Sequence, residues 1–95
     1  MNLEFLQEAK VEFYEAANYY ENKEKNLGKR FRDEVRVVCS AILEHPVIWR
    51  ERLDGFRRVN LPVFPYYIAY FIRGDTILIA AVAHSSRHPD YWKHR

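Results

Sequence analysis

This 95-residue sequence is poor in cysteine and glycine, and each shortage excludes a class of site. With Cys39 as the sole cysteine, no disulfide can form within the chain, and a zinc site built from several cysteines is excluded. The three glycines stand apart, so no glycine-rich loop is available to hold phosphate groups. No apolar run reaches the roughly 18 residues of a membrane span, and no leader-like segment opens the chain. We therefore expect a cytoplasmic protein without metal or cofactor.

The composition is that of one folded domain covering residues 1–95. Hydrophobic residues make up 48% and aromatic residues 16% of the chain, which is typical of a globular protein. Residues 1–45 hold seven Lys and Arg against nine Asp and Glu, a net charge of −2; residues 46–95 hold eight against four, a net charge of +4. A basic half favours an acidic or phosphate-rich partner, although it is also compatible with an ordinary solvated surface.

The front half predicts a short strand and two amphipathic helices. Residues 2–5 alternate partly and predict an edge strand. Apolar residues then recur every three or four positions over residues 7–23 and 27–44, with Glu8, Glu12, Glu15 and Glu21 marking an exposed face of the first helix. Pro46 ends the second helix at His45, because proline disfavours helical conformation in the residue before it. A short polar link between the two helices indicates a helical hairpin.

The second half predicts three strands, over residues 56–61, 65–72 and 76–83. Gly74-Asp75 separates two β-rich runs and is typical of a two-residue hairpin turn. The last strand is apolar on both faces and should be central in its sheet. The fold class is therefore α+β: an N-terminal helical hairpin packed on a small, largely antiparallel sheet of three to four strands.

Two groups of residues could carry function. Arg57 and Arg58 are neighbours on a strand and point to opposite faces, so one of them should face the open side of the sheet and contact phosphate or a target. His84 and Arg87 end the last strand and could meet Arg58 at one rim, where a histidine could act as general acid or base in RNA cleavage.

Two aromatic residues complete this set. Tyr91 could donate a proton in RNA cleavage, and Tyr91 or Trp92 could stack on a base. The structural alternative is that His84 shapes the turn after the strand and Trp92 closes the core.

Several further motifs occur along the chain: an Arg-bearing strand before Phe64-Pro65-Tyr66, the Gly74-Asp75 turn, a final His84-x-x-Arg87-x-Pro89-x-x-Trp92 segment, and, in the front half, Phe5-Leu6-x-x-Ala9, Tyr19-Tyr20, Leu27-Gly28-x-x-Phe31 and His45-Pro46. Read together, these motifs resemble the RelE/ParE toxin superfamily of bacterial toxin–antitoxin modules. The resemblance covers nearly the whole chain. It implies the same α+β fold and a cognate antitoxin that wraps the sheet edge and the cleft beside the hairpin.

The resemblance leaves the target of the toxin open. RelE-type relatives carry lysines on their central strands, whereas this chain has no lysine between Lys29 and Lys93. The ParE-like branch fits better and implies a toxin that binds DNA gyrase through Arg57, Arg58, Arg87 and Trp92. The alternative is a metal-independent, ribosome-dependent mRNA endoribonuclease that uses Arg58, His84, Arg87 and Tyr91. A weaker alternative is a decayed member that retains only antitoxin binding.

Overall fold

A computed structural model describes residues 1–95 and shows two helices covering one face of a four-stranded sheet. The α+β class and the helical hairpin are thus confirmed. In chain order the elements are β1 (Asn2–Phe5), α1 (Gln7–Lys23), α2 (Leu27–Glu44), β2 (Arg57–Asn60), β3 (Tyr66–Arg73), β4 (Thr76–His84) and a short 3₁₀ helix, Pro89–Tyr91.

The two helices pack closely because small residues face each other where they meet. A side chain on Gly28 would place its Cβ 2.5 Å from the carbonyl oxygen of Ala17, so any other residue there would push the helices apart. The Glu21 carboxylate accepts hydrogen bonds from the backbone N–H groups of Asn26 and Gly28 at 3.0 Å each. These bonds lower the pKa of Glu21 and place negative charge at the beginning of α2.

The sheet has the order β1-β4-β3-β2, so the apolar strand β4 is central and β1 lies at an edge, as predicted. β3 pairs antiparallel with both β2 and β4, whereas β1 runs parallel to β4. The β3–β4 turn contains Gly74 with a φ of 60°. The β3–β4 register shifts between Ala69 and Tyr70, and the shift increases the local twist of the strands.

Each face of the sheet carries its own apolar cluster. The helix-side core contains 15 buried residues, among them Phe31, Ile42 and Ile79, which come from both helices and the sheet. The Trp92 cluster lies on the opposite face and contains seven buried residues: Phe56, Tyr67, Ala69, Ala80, Ala81, Ala83 and Trp92. Four alanines on that face leave room for the indole ring, so the segment after β4 covers it without an α-helix.

The connection between α2 and β2, residues 45–56, is called the Leu53 loop. Tyr70, fully buried, donates a hydrogen bond to the carbonyl oxygen of Pro46 at 2.7 Å, and Arg57 donates one to the carbonyl oxygen of Trp49 at the same distance. The Trp49 ring packs against the helix-side core. A backbone hydrogen bond of 2.7 Å from Arg52 to Phe56 closes the loop. Side chains of the sheet therefore hold this loop in one place.

Candidate binding cleft

An open cleft of about 230 Å³ lies between the outer side of α1 and the end of β4. This α1–β4 cleft combines acidic, basic and aromatic groups: Glu12, Glu15, Ala16, Tyr19, Tyr66, Val82, His84, Arg87 and Tyr91. Three of the sequence-predicted residues, His84, Arg87 and Tyr91, therefore lie together. A second shallow depression next to it shares Tyr19, Tyr66 and His84 and adds Lys23 from the end of α1.

His84 is held at the cleft by the turn that follows β4. Its Nδ1 accepts a hydrogen bond from the backbone N–H of Ser86 at 3.1 Å and lies 2.7 Å from the Ser86 hydroxyl oxygen. A neutral imidazole that accepts at Nδ1 carries its proton on Nε2, so its basic nitrogen is already occupied. The ring also meets Tyr66 edge-on, with centroids 5.1 Å apart. These contacts hold the His84 ring at the end of β4, beside the cleft.

Glu12 is the most connected side chain of the cleft. Its carboxylate accepts hydrogen bonds from the Tyr91 hydroxyl at 2.7 Å and from the backbone N–H of Val82 at 3.0 Å. Its two oxygens also accept hydrogen bonds from the two terminal nitrogens of Arg95, one each, at 2.9 and 3.0 Å. Burial, followed by the bond to Glu12, raises the pKa of Tyr91 well above its usual range, so this hydroxyl keeps its proton.

The Glu12–Arg95 pair closes a gap in the sheet. The strand β1 covers β4 only as far as Ile79, whose carbonyl oxygen accepts from Leu6. Beyond that point the Val82 N–H donates to Glu12, and the Ala80 carbonyl oxygen accepts from Arg95 at 3.1 Å. Two side chains thus satisfy the backbone groups that a longer β1 would have bonded.

The predicted arginines do not converge at one site. Arg87 stacks on the Tyr91 ring, 3.7 Å from its centroid, at the α1–β4 cleft. Arg58 lies over the Tyr67 ring at 3.8 Å and bonds Asn60, which places it on the face of the Trp92 cluster. The expected meeting of Arg58 with His84 at one rim is therefore not formed, because His84 shares the opposite, helix-covered face with Tyr66.

Arg57 and Trp92 have structural partners that limit the contacts predicted for them. The Arg57 side chain is 15% exposed and holds the Leu53 loop, with Glu51 3.5 Å away. Trp92 is 1% exposed, donates a hydrogen bond from its indole nitrogen to the Tyr67 hydroxyl at 2.8 Å, and packs edge-on against Phe56. This position matches the alternative that Trp92 closes the core, and its contact with a target stays a prediction.

Sequence reasoning missed Glu12 and Arg95. Glu12 was assigned to the exposed face of the first helix, but its side chain is only 14% exposed. No local signal separates it from Glu8 or Glu15, because its partners Val82 and Arg95 lie 70 and 83 positions away in sequence. Nor does the structure bring three or more potential metal ligands together.

Comparison with known proteins supports the fold and gives a family. A family model described as the ParE toxin of the type II toxin–antitoxin system parDE matches residues 3–89. A solved structure of a chromosomal ParDE toxin–antitoxin system from P. aeruginosa is similar with a TM-score of 0.65 at 14% identity, over 88% of this chain and 95% of that one. No curated protein matches. No helix of this chain combines the length and apolar character needed to cross a bilayer.

Proposed function

This chain belongs to the ParE toxin family of type II toxin–antitoxin systems, and we propose that it arrests growth by binding DNA gyrase or a protein of that type, without catalysis. Membership of a toxin–antitoxin family implies an antitoxin as partner. The proposed place of action is the cytoplasm, where such a target resides.

The proposal is carried by one observation: the residues that a nuclease would need are hydrogen-bonded to other groups or lie on different faces of the sheet. The Tyr91 hydroxyl donates to Glu12 and has a raised pKa, which makes it a poor acid toward a leaving oxygen. The acceptor nitrogen of His84 is bonded to the Ser86 backbone, and Arg58 lies on the other face of the sheet. Residues that hold one another in place suit a rigid binding protein better than an acid–base mechanism.

One observation favours the alternative of ribosome-dependent mRNA cleavage. His84 and Arg87 line an open cleft together with the aromatic rings of Tyr19 and Tyr66. Aromatic rings stack on unpaired bases, and a guanidinium stabilises charge on a phosphate under attack. This arrangement would accept an RNA strand if Nε2 of His84 reached the ribose.

The experiment compares both activities of the purified protein and its His84→Gln variant. Gln keeps an oxygen that can accept from Ser86 but cannot exchange a proton near neutral pH. We expect inhibition of gyrase supercoiling by both proteins and ribosome-dependent transcript cleavage by neither. Transcript cleavage by the parent that falls roughly 10²–10⁴-fold in a folded His84→Gln protein would establish the nuclease instead.

We further propose that the antitoxin binds the basic side of the sheet with an acidic or amphipathic segment. The net charge of +4 over residues 46–95 supports this placement. Raising the salt from 0.1 to 1 M shortens the Debye length from about 10 to about 3 Å, so the affinity should fall. Hydrogen-exchange protection confined to the outer faces of α1 and α2 would contradict it.

Expression in cells tests whether this chain is toxic. Expression of this chain alone should arrest growth, and coexpression of the neighbouring gene product should relieve the arrest. Normal growth in the presence of folded protein would leave the decayed-member alternative.

A further inference from the structure

The Leu53 loop carries three large apolar side chains that are exposed. Leu53 is fully exposed at its tip (105% of the reference area), and Val47 and Ile48 are 67% and 63% exposed. Single exposed apolar residues are common on protein surfaces, but three large ones in one short loop are typical of an interaction site.

Hydrogen bonds to the rest of the fold fix the loop that carries these side chains. The Leu53 loop is fastened at Pro46 by the buried Tyr70, at Trp49 by Arg57, and at Arg52 by the backbone of Phe56. Two polar side chains of the sheet, Tyr70 and Arg57, thus donate hydrogen bonds that position this loop. A preformed loop loses little conformational entropy when it binds, which favours its use as a docking element.

The charges of the Leu53 loop are arranged so that its positive groups remain free. Its acidic residues are both paired: Glu51 lies 3.5 Å from Arg57, and Asp54 lies 3.2 Å from Lys93. Arg50 and Arg52 are exposed and form no salt bridge. Both arginines line a shallow depression of about 440 Å³ with Phe56 at its side. A partner surface that complements this loop is therefore acidic around an apolar pocket.

We propose that the Leu53 loop is the element by which this toxin docks on its target protein, with Leu53 entering an apolar pocket and Arg50 and Arg52 meeting acidic residues at the rim. The exposure of Leu53 favours the target over the antitoxin. A fully exposed leucine on a fixed loop can enter a preformed pocket of a folded protein, whereas a segment that folds on binding has no pocket before it binds. The inference rests on the proposed function in taking the partner to be a target protein.

Two variants of the Leu53 loop test the inference, each with a matched control. Leu53→Asn removes the apolar tip, and its control is Val63→Asn, which changes a residue 69% exposed in another loop. Arg50→Glu/Arg52→Glu reverses the two free charges, and its control is Lys25→Glu/Arg30→Glu, which makes the same change in net charge at exposed residues without salt bridges. Unchanged melting temperatures establish that all four variants fold.

We expect both loop variants to weaken gyrase inhibition and growth arrest at least about tenfold, the effect of losing a residue central to an interface. The controls should remain within about twofold of the parent, and antitoxin affinity measured by calorimetry should not change. Loss of antitoxin affinity in the loop variants would assign the loop to the antitoxin and overturn the inference. Duplex DNA binding by the parent that the loop variants lose would overturn it too, because the partner would then be a nucleic acid.

Gyrase inhibition and growth arrest, measured side by side, separate the docking role of the Leu53 loop from the choice of gyrase as target. Loop variants that inhibit gyrase as well as the parent overturn the docking role and leave gyrase as the target. Loop variants that lose growth arrest, in a protein whose parent form does not inhibit gyrase, overturn gyrase as the target and support the docking role on another protein.

Discussion

The two faces of the sheet are closed by different means. The helix-side core has two amphipathic helices, whose buried residues are spread over about ten turns of regular structure. The Trp92 cluster is covered by the segment after β4, whose Trp92 packs over four alanines and against the rings of Phe56 and Tyr67. The helix-covered face distributes its burial over 15 residues from several elements, whereas the other face has a cluster of seven, and Trp92 is its largest side chain. The difference predicts that the second face is where the fold opens first.

The largest effect is expected for Trp92→Ala. Removal of a buried tryptophan leaves a cavity and should cost about 3–5 kcal/mol in the free energy of unfolding. Denaturant titration measures this loss. Tyr67→Phe is the control, since it removes only the hydrogen bond to the indole nitrogen and should cost about 1 kcal/mol. Equal losses in the two variants would show that the hydrogen bond, and not ring burial, holds the segment.

A second, intermediate effect is expected for Glu12→Gln, which weakens the link between α1 and the segment after β4. The amide keeps an oxygen for Val82 but loses the charge that binds both terminal nitrogens of Arg95. Loss of a hydrogen-bonded charge pair of this kind should cost about 2 kcal/mol. Hydrogen exchange at the Val82 amide measures the local opening, and Glu15→Gln, at an exposed position of the same helix, should leave it unchanged.

A smaller effect, of unusual sign, is expected for Gly28→Ala in the helix-covered half. Alanine normally stabilises a helix by about 1 kcal/mol relative to glycine. Here its Cβ would lie 2.5 Å from the Ala17 carbonyl oxygen, so the helices must separate and the net result should be a loss of about 1 kcal/mol. Thermal unfolding measures it against Ser40→Ala at an exposed position of α2, which should be neutral or stabilising. A stabilised Gly28→Ala protein would show that the hairpin adjusts freely.

The smallest effect is expected when the reactivity of the Cys39 thiol is compared between the parent protein and Trp92→Ala. Cys39 packs against the helix-side core, so it reports on that half alone. Burial raises the pKa of its thiol to about 11, so roughly one molecule in a thousand carries the thiolate at pH 8. Its reaction with a disulfide reagent should be slow at pH 8 and accelerate as the pH rises. The same slow rate in folded Trp92→Ala would show that the two faces open separately; fast reaction would show that they open together.

The elements were predictable because their patterns are local. Both helices begin and end where the spacing of apolar residues and Pro46 indicated, and β4 is central as its two apolar faces required. The parallel pairing of β1 was not predicted, because strand direction depends on a partner far along the chain. The same reason hid Glu12: an acidic residue on a helix reads as exposed until Val82 and Arg95 are placed beside it.

The candidate site was predictable in its residue types and less so in its geometry. Adjacent positions on a strand had to put Arg57 and Arg58 on opposite faces, and they do. The alternation of side chains could not show which face the helices cover, so the separation of Arg58 from His84 emerged only in three dimensions.

The pairing of β1 with β4 bears on how the protein is made. Asn2 pairs with Thr76 and Phe5 with Ile79, so the first strand has no neighbour in the sheet until β4 has been made. Pairings between distant segments form late, after the cost of closing a long loop has been met. The helical hairpin can therefore form in the nascent chain well before the sheet is complete. Because β4 is the neighbour of both β1 and β3, we expect the four-stranded sheet to assemble only after β4 has been synthesised.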